Sequence, residues 1–372
     1  MSPHDRSLPP AADTGTPLLH LIRERLAADG WWPFDQFMAT ALYEPGLGYY
    51  SGTRQKFGLL PDSGSDFVTA PELSPLFGQA LAAQVAQALS ETSTDEVWEF
   101  GAGTGALAEQ LLGALGEAVR RYVIVDLSGN LRARQAERLQ PWADKVVWVE
   151  ALPERFCGVV VGNEVLDAMP VQLIRRDGGQ WFERGVVREG DGLGWADRPT
   201  RLAPPCTPPD GFTEGFVTEL HAQAEAFIRT IAAQLERGAA FFIDYGFPEA
   251  EYYHPQRSGG TLMCHYLHQA DPDPLQRVGD KDITAHVNFT GVALAGQEAG
   301  LQVLGYTSQA HFLINCGLIE RMAQASLPAR TMAHKLLAEH EMGELFKVIG
   351  FVAGVPEFDA LGFTRGDRSH TL

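Results

Sequence analysis

Cationic side chains are scarce in this sequence. Its 372 residues hold 29 lysines and arginines against 47 aspartates and glutamates, a formal charge of −18. Nucleic-acid binding relies on Lys and Arg to displace counterions, so this balance argues against a nucleic-acid partner. It leaves room for a cationic ligand or a basic partner surface. Cysteine is scarcer still, with Cys157, Cys206, Cys264 and Cys316 scattered and no CxxC pair. That pattern predicts reduced thiols in a cytoplasmic protein. No stretch approaches the roughly 20 uninterrupted apolar residues that cross a bilayer, so no membrane span is expected. Met1–Thr16 is polar and proline-rich, without an apolar run after a basic start. It reads as a disordered tail and not as a signal peptide. Neither a G-x-S-x-G elbow nor a phosphate-loop lysine motif occurs. Cys264, His265 and His268 lie close together, but no second cluster completes the ligand set of a metal site, and no metal is expected.

What is present is a globular pattern, 45% apolar and 20% charged. Ser74-Pro75 supplies an N-cap and a proline at a first helical position, and Leu76, Phe77, Ala80, Leu81, Val85, Ala88 and Leu89 follow at helical spacing. From Glu96 onward, short apolar strands alternate with helices. The strands are expected at Val97–Phe100, Tyr122–Val125, Lys145–Val149, Gly158–Val161, Ala239–Ile243, Leu301–Thr307 and Phe346–Ala353, with helices at Ala106–Leu115 and Leu131–Leu139. Such alternation implies βαβ units, hence an α/β fold with a doubly wound, mainly parallel sheet covered on both faces.

By pattern the chain divides into a tail (1–16), a helical cap or lid segment (17–72) and a cofactor half of the core (73–171). An insertion (172–235) and a second core half (236–372) follow, the latter carrying a lid-like insertion at 247–281. Residues 172–209 look β-rich and end in a proline-rich loop. Trp31, Trp32 and Trp98 are expected in the core.

Glu99-Phe100-Gly101-Ala102-Gly103-Thr104-Gly105 places a glycine loop directly after a strand and before a helix. Glycines there let the backbone turn tightly and approach a ligand, and the helix start offers free N–H donors. Asp126 ends the next strand, 21 residues past Gly105, at the spacing of a carboxylate that accepts from ribose hydroxyls. The dinucleotide fingerprint is G-x-G-x-x-G, whereas the form here is G-x-G-x-G behind the acid Glu99. No Lys or Arg lies in the loop to serve an anionic pyrophosphate. A ligand with an ammonium and a sulfonium would be better served, which favours S-adenosylmethionine over NAD. Glu99, Gly101, Ala102, Gly103, Gly105 and Asp126 are therefore the expected cofactor residues.

Val159-Val160-Val161 runs into Gly162-Asn163-Glu164-Val165-Leu166-Asp167-Ala168-Met169-Pro170. Ligands of an open α/β sheet sit beyond the carboxyl ends of the strands, which would put Asn163 and Glu164 beside the cofactor's reactive end. Asp167 would follow one helical turn on, either facing the substrate or favouring a helix start. Glu164 and Asp167 together could hold a guanidinium. Ala239–Ile243 delivers Asp244-Tyr245-Gly246 to the same edge, and Asp244 joins Asn163, Glu164 and Asp167 as an expected catalytic residue. His286 and Asn288 are expected to pack against the pocket.

These residues resemble the MidA family, the group that includes a mitochondrial complex I assembly arginine methyltransferase. The resemblance runs from about Gly30 to about Val352. It rests on Tyr49-Tyr50 with Phe57-Gly58, on the Asp66–Gly78 segment around Thr69-Ala70-Pro71-Glu72, and on Glu99–Gly105. It rests further on Gly162–Val171, Asp244–Phe247, Gly260-Thr261-Leu262 and Asp282–Phe289. The chain departs from the family at Leu59–Ser65, where the family reaches Asp-Phe by a shorter glycine turn. The resemblance implies a class I, Rossmann-like methyltransferase using S-adenosyl-L-methionine. It also implies methylation of arginine on a protein partner such as a respiratory complex I subunit. Two readings compete with it: a non-catalytic assembly chaperone that keeps the fold, and an NAD-dependent oxidoreductase, which the loop form disfavours.

Overall fold

The computed structural model describes residues 16–52, 68–126, 129–267 and 269–372. The expected tail up to residue 15, Phe57-Gly58, the 59–65 departure, Asp66-Phe67 and His268 lie outside them.

Runs of β-branched and aromatic residues build one large sheet. Across it run Gln302–Ser308, Phe346–Ala353, Leu235–Phe247, Phe156–Asn163, Glu96–Phe100, Arg121–Val125 and Val146–Val149, with the short Val287–Asn288 beside Leu235–Phe247. From Leu235–Phe247 to Val146–Val149 every pairing is parallel. Phe346–Ala353 is antiparallel to both neighbours. The order shows why a site forms where it does. The chain enters at Glu96–Phe100, moves outward over two strands, then returns to Phe156–Asn163 on the other side. The crevice between those two central strands is the switch point where such sheets bind ligands.

The period of two separates the faces. Val159, Val161, Phe241 and Ile243 turn to one apolar layer, packed by Pro75–Glu91, Ala106–Leu115 and the helices from Gln309 to Leu337. Val160, Ala240 and Phe242 turn to the other, under Ala222–Gln234 and Phe289–Glu298. The expected cap at Ser74 forms, its Oγ accepting from Leu76 N at 3.3 Å. Trp98 and Trp32 are buried, as expected of core residues.

Two smaller sheets flank this core. Trp32–Pro33, Gln172–Asp177, Gln180–Glu189, Gly192–Pro199 and Val217–Leu220 form an antiparallel sheet. Helices Pro17–Asp29 and Phe34–Tyr43 pack on it through Leu19, Ile22, Phe37 and Met38. Met263–Tyr266, Gln269–Asp271 and Asp282–Thr284 form a three-stranded sheet whose last strand reaches the switch point. Among the described residues no helix is long and apolar enough to cross a membrane.

Candidate active site

The glycine loop has the geometry that its composition predicts. Gly101, Gly103 and Gly105 have φ of +63°, +53° and +84°, all left-handed. A Cβ at Gly103 would meet no neighbouring protein atom nearer than Gly101 O at 4.0 Å, so the backbone there is open to a ligand. Two side chains from the helix Gly129–Arg138 hold the loop. Gln135 Nε2 donates to Gly103 O at 2.9 Å and to Asp126 Oδ2 at 3.0 Å, tying the loop to the acid after the next strand. Trp148 Nε1 in turn donates to Gln135 Oε1 at 2.8 Å. Arg138 donates to Thr104 Oγ1 (2.7 Å), Glu72 Oε1 (3.0 Å) and Glu109 Oε2 (2.7 Å), and Thr104 also bonds Glu72. Glu99 is buried on the preceding strand and accepts from Tyr122 OH at 2.7 Å. Burial pushes its pKa up to about 8, with Tyr122 opposing and the Asp126 charge adding.

The acidic turn differs from expectation in one respect. No helix lies between Asn163 and Gln172, so Asp167 is not one helical turn on from Glu164 but sits in a tight turn. Glu164 has a φ of +54°, which an α-helix does not accommodate. The turn is held by Asp244, whose Oδ2 accepts from Val165 N (3.1 Å), Leu166 N (2.8 Å) and Asp167 N (3.2 Å). Its Oδ1 accepts from Tyr245 N at 2.9 Å. Three successive N–H groups around one carboxylate oxygen make an anion-holding nest. Burial raises the Asp244 pKa and these four donors oppose it.

Glu164 is aimed into the cavity by its left-handed backbone. Asn163 Nδ2 donates to its Oε1 at 2.9 Å and Tyr245 OH to its Oε2 at 3.3 Å. Burial, helped by the Asp244 charge, pushes its pKa up to about 8. Asp167 is 4% exposed, and its pKa is raised by burial and by Asp244, Glu164 and Asp282. A carboxyl raised in this way favours the fold in its neutral form. For Glu99 and Glu164 that contribution is complete below about pH 4.5 and lost as the pH rises through about 8.

Glu99, Gly101, Ala102, Gly103, Asp126, Asn163, Glu164 and Asp167 line one cavity of about 480 Å³, while Gly105 and Asp244 stand behind its lining. Tyr43, Tyr50, Glu72, Glu150, Tyr245, His265 and Asp282 line it too. Among the described residues the lining thus carries seven carboxylates and no Lys or Arg. Tyr43 and Tyr50 stack with centroids 5.5 Å apart, and Tyr50 OH donates to Asp282 Oδ1 at 2.9 Å. Asn163 Oδ1 and Asp167 Oδ1 are buried acceptors with no hydrogen-bond partner among the described residues. His286 and Asn288 lie outside the lining: His286 stacks on Phe247 at 5.2 Å, and Asn288 caps the helix Phe289–Glu298. No group of three or more His, Cys, Asp or Glu that could hold a metal occurs among the described residues. Sequence reasoning missed Gln135, Arg138, Glu72, Tyr43 and Asp282. Gln135 and Arg138 carry no motif signal; Glu72 and Asp282 stand inside the segments that carry the family resemblance, which alone could have flagged them.

A sequence model of the S-adenosyl-L-methionine-dependent methyltransferases matches residues 80–307, more than half of the chain. The chain belongs to that family. A Burkholderia thailandensis protein, solved with S-adenosyl-homocysteine bound, is 53% identical with a TM-score of 0.91, over 95% of this chain and 96% of that one. A second crystal structure from that organism is 51% identical, with a TM-score of 0.86 and coverage of 95% and 96%. Among curated proteins, the mitochondrial protein arginine methyltransferase NDUFAF7 of Danio rerio is 28% identical, over 82% of this chain and 78% of its own length. The human protein of that name is 26% identical, over 84% and 76%.

The doubly wound, mainly parallel α/β fold expected from the alternating pattern and the class I fold implied by the resemblance are therefore correct, and the cofactor of this methyltransferase is S-adenosyl-L-methionine. The site suits that cation: the loop backbone is open at Gly103 and, among the described residues, no Lys or Arg lines the cavity. One expectation is corrected. Scattered thiols predicted a cytoplasmic protein, whereas the curated relatives are named as mitochondrial. Unpaired cysteines report a reducing environment, which does not specify a compartment.

Proposed function

We propose that this methyltransferase modifies arginine on a protein partner. In this reading Asn163, Glu164 and Asp167 hold the guanidinium, while Glu99, the Gly101–Gly105 backbone and Asp126 hold the cofactor. The supporting observation is the pair of buried acceptors, Asn163 Oδ1 and Asp167 Oδ1, that have no partner among the described residues, in a cavity where the described lining holds no Lys or Arg. Such acceptors call for a group made only of donors; guanidinium and ammonium both qualify, and the planar fork of a guanidinium can serve two acceptors at once. The arginine methyltransferase names of relatives 24–28% identical support the same reading.

S-adenosyl-L-methionine, when bound, supplies an electrophilic methyl group on a sulfonium. The task of the residues is to orient the acceptor. A guanidinium stays protonated throughout the working pH range, so its charge must be drawn toward some nitrogens to leave another as nucleophile. Glu164 and Asp167 would accept from the nitrogens that stay charged, and Asn163 Oδ1 would take a further N–H. The rings of Tyr43, Tyr50 and Tyr245 would wall this contact. Asp244, expected among the catalytic residues, becomes a positioning residue, because backbone N–H groups engage both of its oxygens.

Asp126→Ala should weaken S-adenosyl-homocysteine binding by about 1–3 kcal/mol, because it removes a charged acceptor for the ribose and loosens Gln135. A calorimetric titration returning the wild-type Kd would place the ribose elsewhere. With saturating cofactor, kcat/KM for an arginine peptide should rise with pH and level off above about 8, where Glu164 is ionised and can hold a cation. A profile flat from pH 6 to 9 would remove Glu164 from substrate binding. Labelled methyl transfer to respiratory complex I subunits, the partner that the family resemblance implies, tests the whole reading by mass spectrometry of the products. Methyl on arginine supports it, and methyl on another residue overturns it. Tight S-adenosyl-homocysteine binding without transfer to any arginine substrate would favour the assembly chaperone.

A further inference from the structure

A second cavity, of about 370 Å³, opens at the opposite edge of the central sheet, where the parallel strands begin. In a chain of charge −18 its lining is unusual: Arg120, Arg121, Arg155 and Arg237 face two carboxylates, Asp95 and Glu96. Strand starts bring them together. Arg121 opens Arg121–Val125, Arg155 precedes Phe156–Asn163, and Arg237 lies early in Leu235–Phe247. The arginines are partly paired. Arg120 contacts Asp95 at 2.8 Å and Glu96 at 2.6 Å, and Arg155 contacts Glu236 at 2.7 Å. Arg237 is exposed and makes no ion pair among the described residues.

Two buried donors at this cavity lack an acceptor among the described residues. One is Trp98 Nε1, on a side chain only 1% exposed; the other is Arg121 Nε, 3.5 Å from Glu96 but without a hydrogen bond. Trp98 lies between Arg121, whose guanidinium carbon is 5.5 Å from its ring, and Phe156 at 4.5 Å. Unmade hydrogen bonds of buried donors are costly, and each calls for an acceptor. Counting Glu236, four guanidinium groups stand over three carboxylates, an excess of one positive charge.

We propose that this cavity binds the dianionic phosphate group of a small molecule. Guanidinium forks match phosphate oxygens in bidentate fashion, and the indole N–H adds a neutral donor. The volume falls within the range of small-ligand sites. The proposal stands apart from the methyl-transfer site, whose carboxylate lining repels the same anion.

The test uses inorganic phosphate as the probe, with the full chain saturated by S-adenosyl-homocysteine and ionic strength held constant with sodium chloride. Calorimetry should show saturable binding of one phosphate per chain, accompanied by a rise in the unfolding temperature. Arg237→Ala, an exposed change that leaves the fold intact, should weaken phosphate at least tenfold with S-adenosyl-homocysteine affinity unchanged. Trp98→Phe keeps the packing, removes the N–H and should also weaken phosphate. Wild-type affinity in Arg237→Ala overturns the proposal. So does a phosphate response equal to that of chloride, or competition between phosphate and S-adenosyl-homocysteine.

Discussion

Glu164→Gln should cut single-turnover methyl transfer at least about a hundredfold while leaving S-adenosyl-homocysteine affinity nearly unchanged. The amide preserves the shape of the side chain at its φ of +54°, so the turn survives. What it loses is the charge that pairs with the acceptor's cation. It also presents an NH₂ donor where Asn163 Nδ2 and Tyr245 OH already donate. A guanidinium offers only donors, so one contact becomes repulsive. Misplacement of the acceptor by about 1 Å can cost that hundredfold without any change in the cofactor. Transfer of labelled methyl to an arginine peptide, measured beside a binding titration, separates the two effects. Wild-type transfer in this variant would make the turn purely structural and remove the main physical support for arginine as acceptor.

Gly103→Val should reduce S-adenosyl-homocysteine affinity at least about a hundredfold in a protein that still folds. The nearest neighbouring protein atom to an added Cβ is Gly101 O at 4.0 Å, so the new side chain enters the cofactor's space and not the core. A left-handed φ of +53° costs a β-branched residue roughly 1–2 kcal/mol, which a folded domain of this size tolerates. Gly101 would be a poorer probe, because its added Cβ falls 3.0 Å from Val165 Cγ2 and would disturb the acidic turn as well. Circular dichroism should match the wild type and calorimetry should show no binding at micromolar ligand. An unchanged Kd would take the loop out of the cofactor site.

The sequence by itself determined those parts of the protein whose causes lie within a few residues of one another. Glycines that need left-handed φ, a cap of Ser before Pro, and β-branched runs such as Val159-Val160-Val161 specify strand, loop and helix through their own backbone preferences. The glycine loop and Asp126 were legible together because one βαβ unit sets their separation. Tertiary structure decided what distance along the chain conceals. Asp244 looked like a catalytic acid, yet the four N–H groups that surround it come from its own strand end and from the turn after Phe156–Asn163. Asp167 was expected one helical turn beyond Glu164, facing the substrate or favouring a helix start, but a left-handed Glu164 and the Asp244 carboxylate fold the chain into a turn and bury it. Tyr43, Tyr50, Glu72 and Asp282 reach the cavity from segments that surround the central strands only after the sheets pack. Burial and unpartnered acceptors, which set the charge state of Glu164 and the appetite of Asp167 for a donor, arise from that packing, because desolvation depends on every neighbour in space and not on neighbours along the chain.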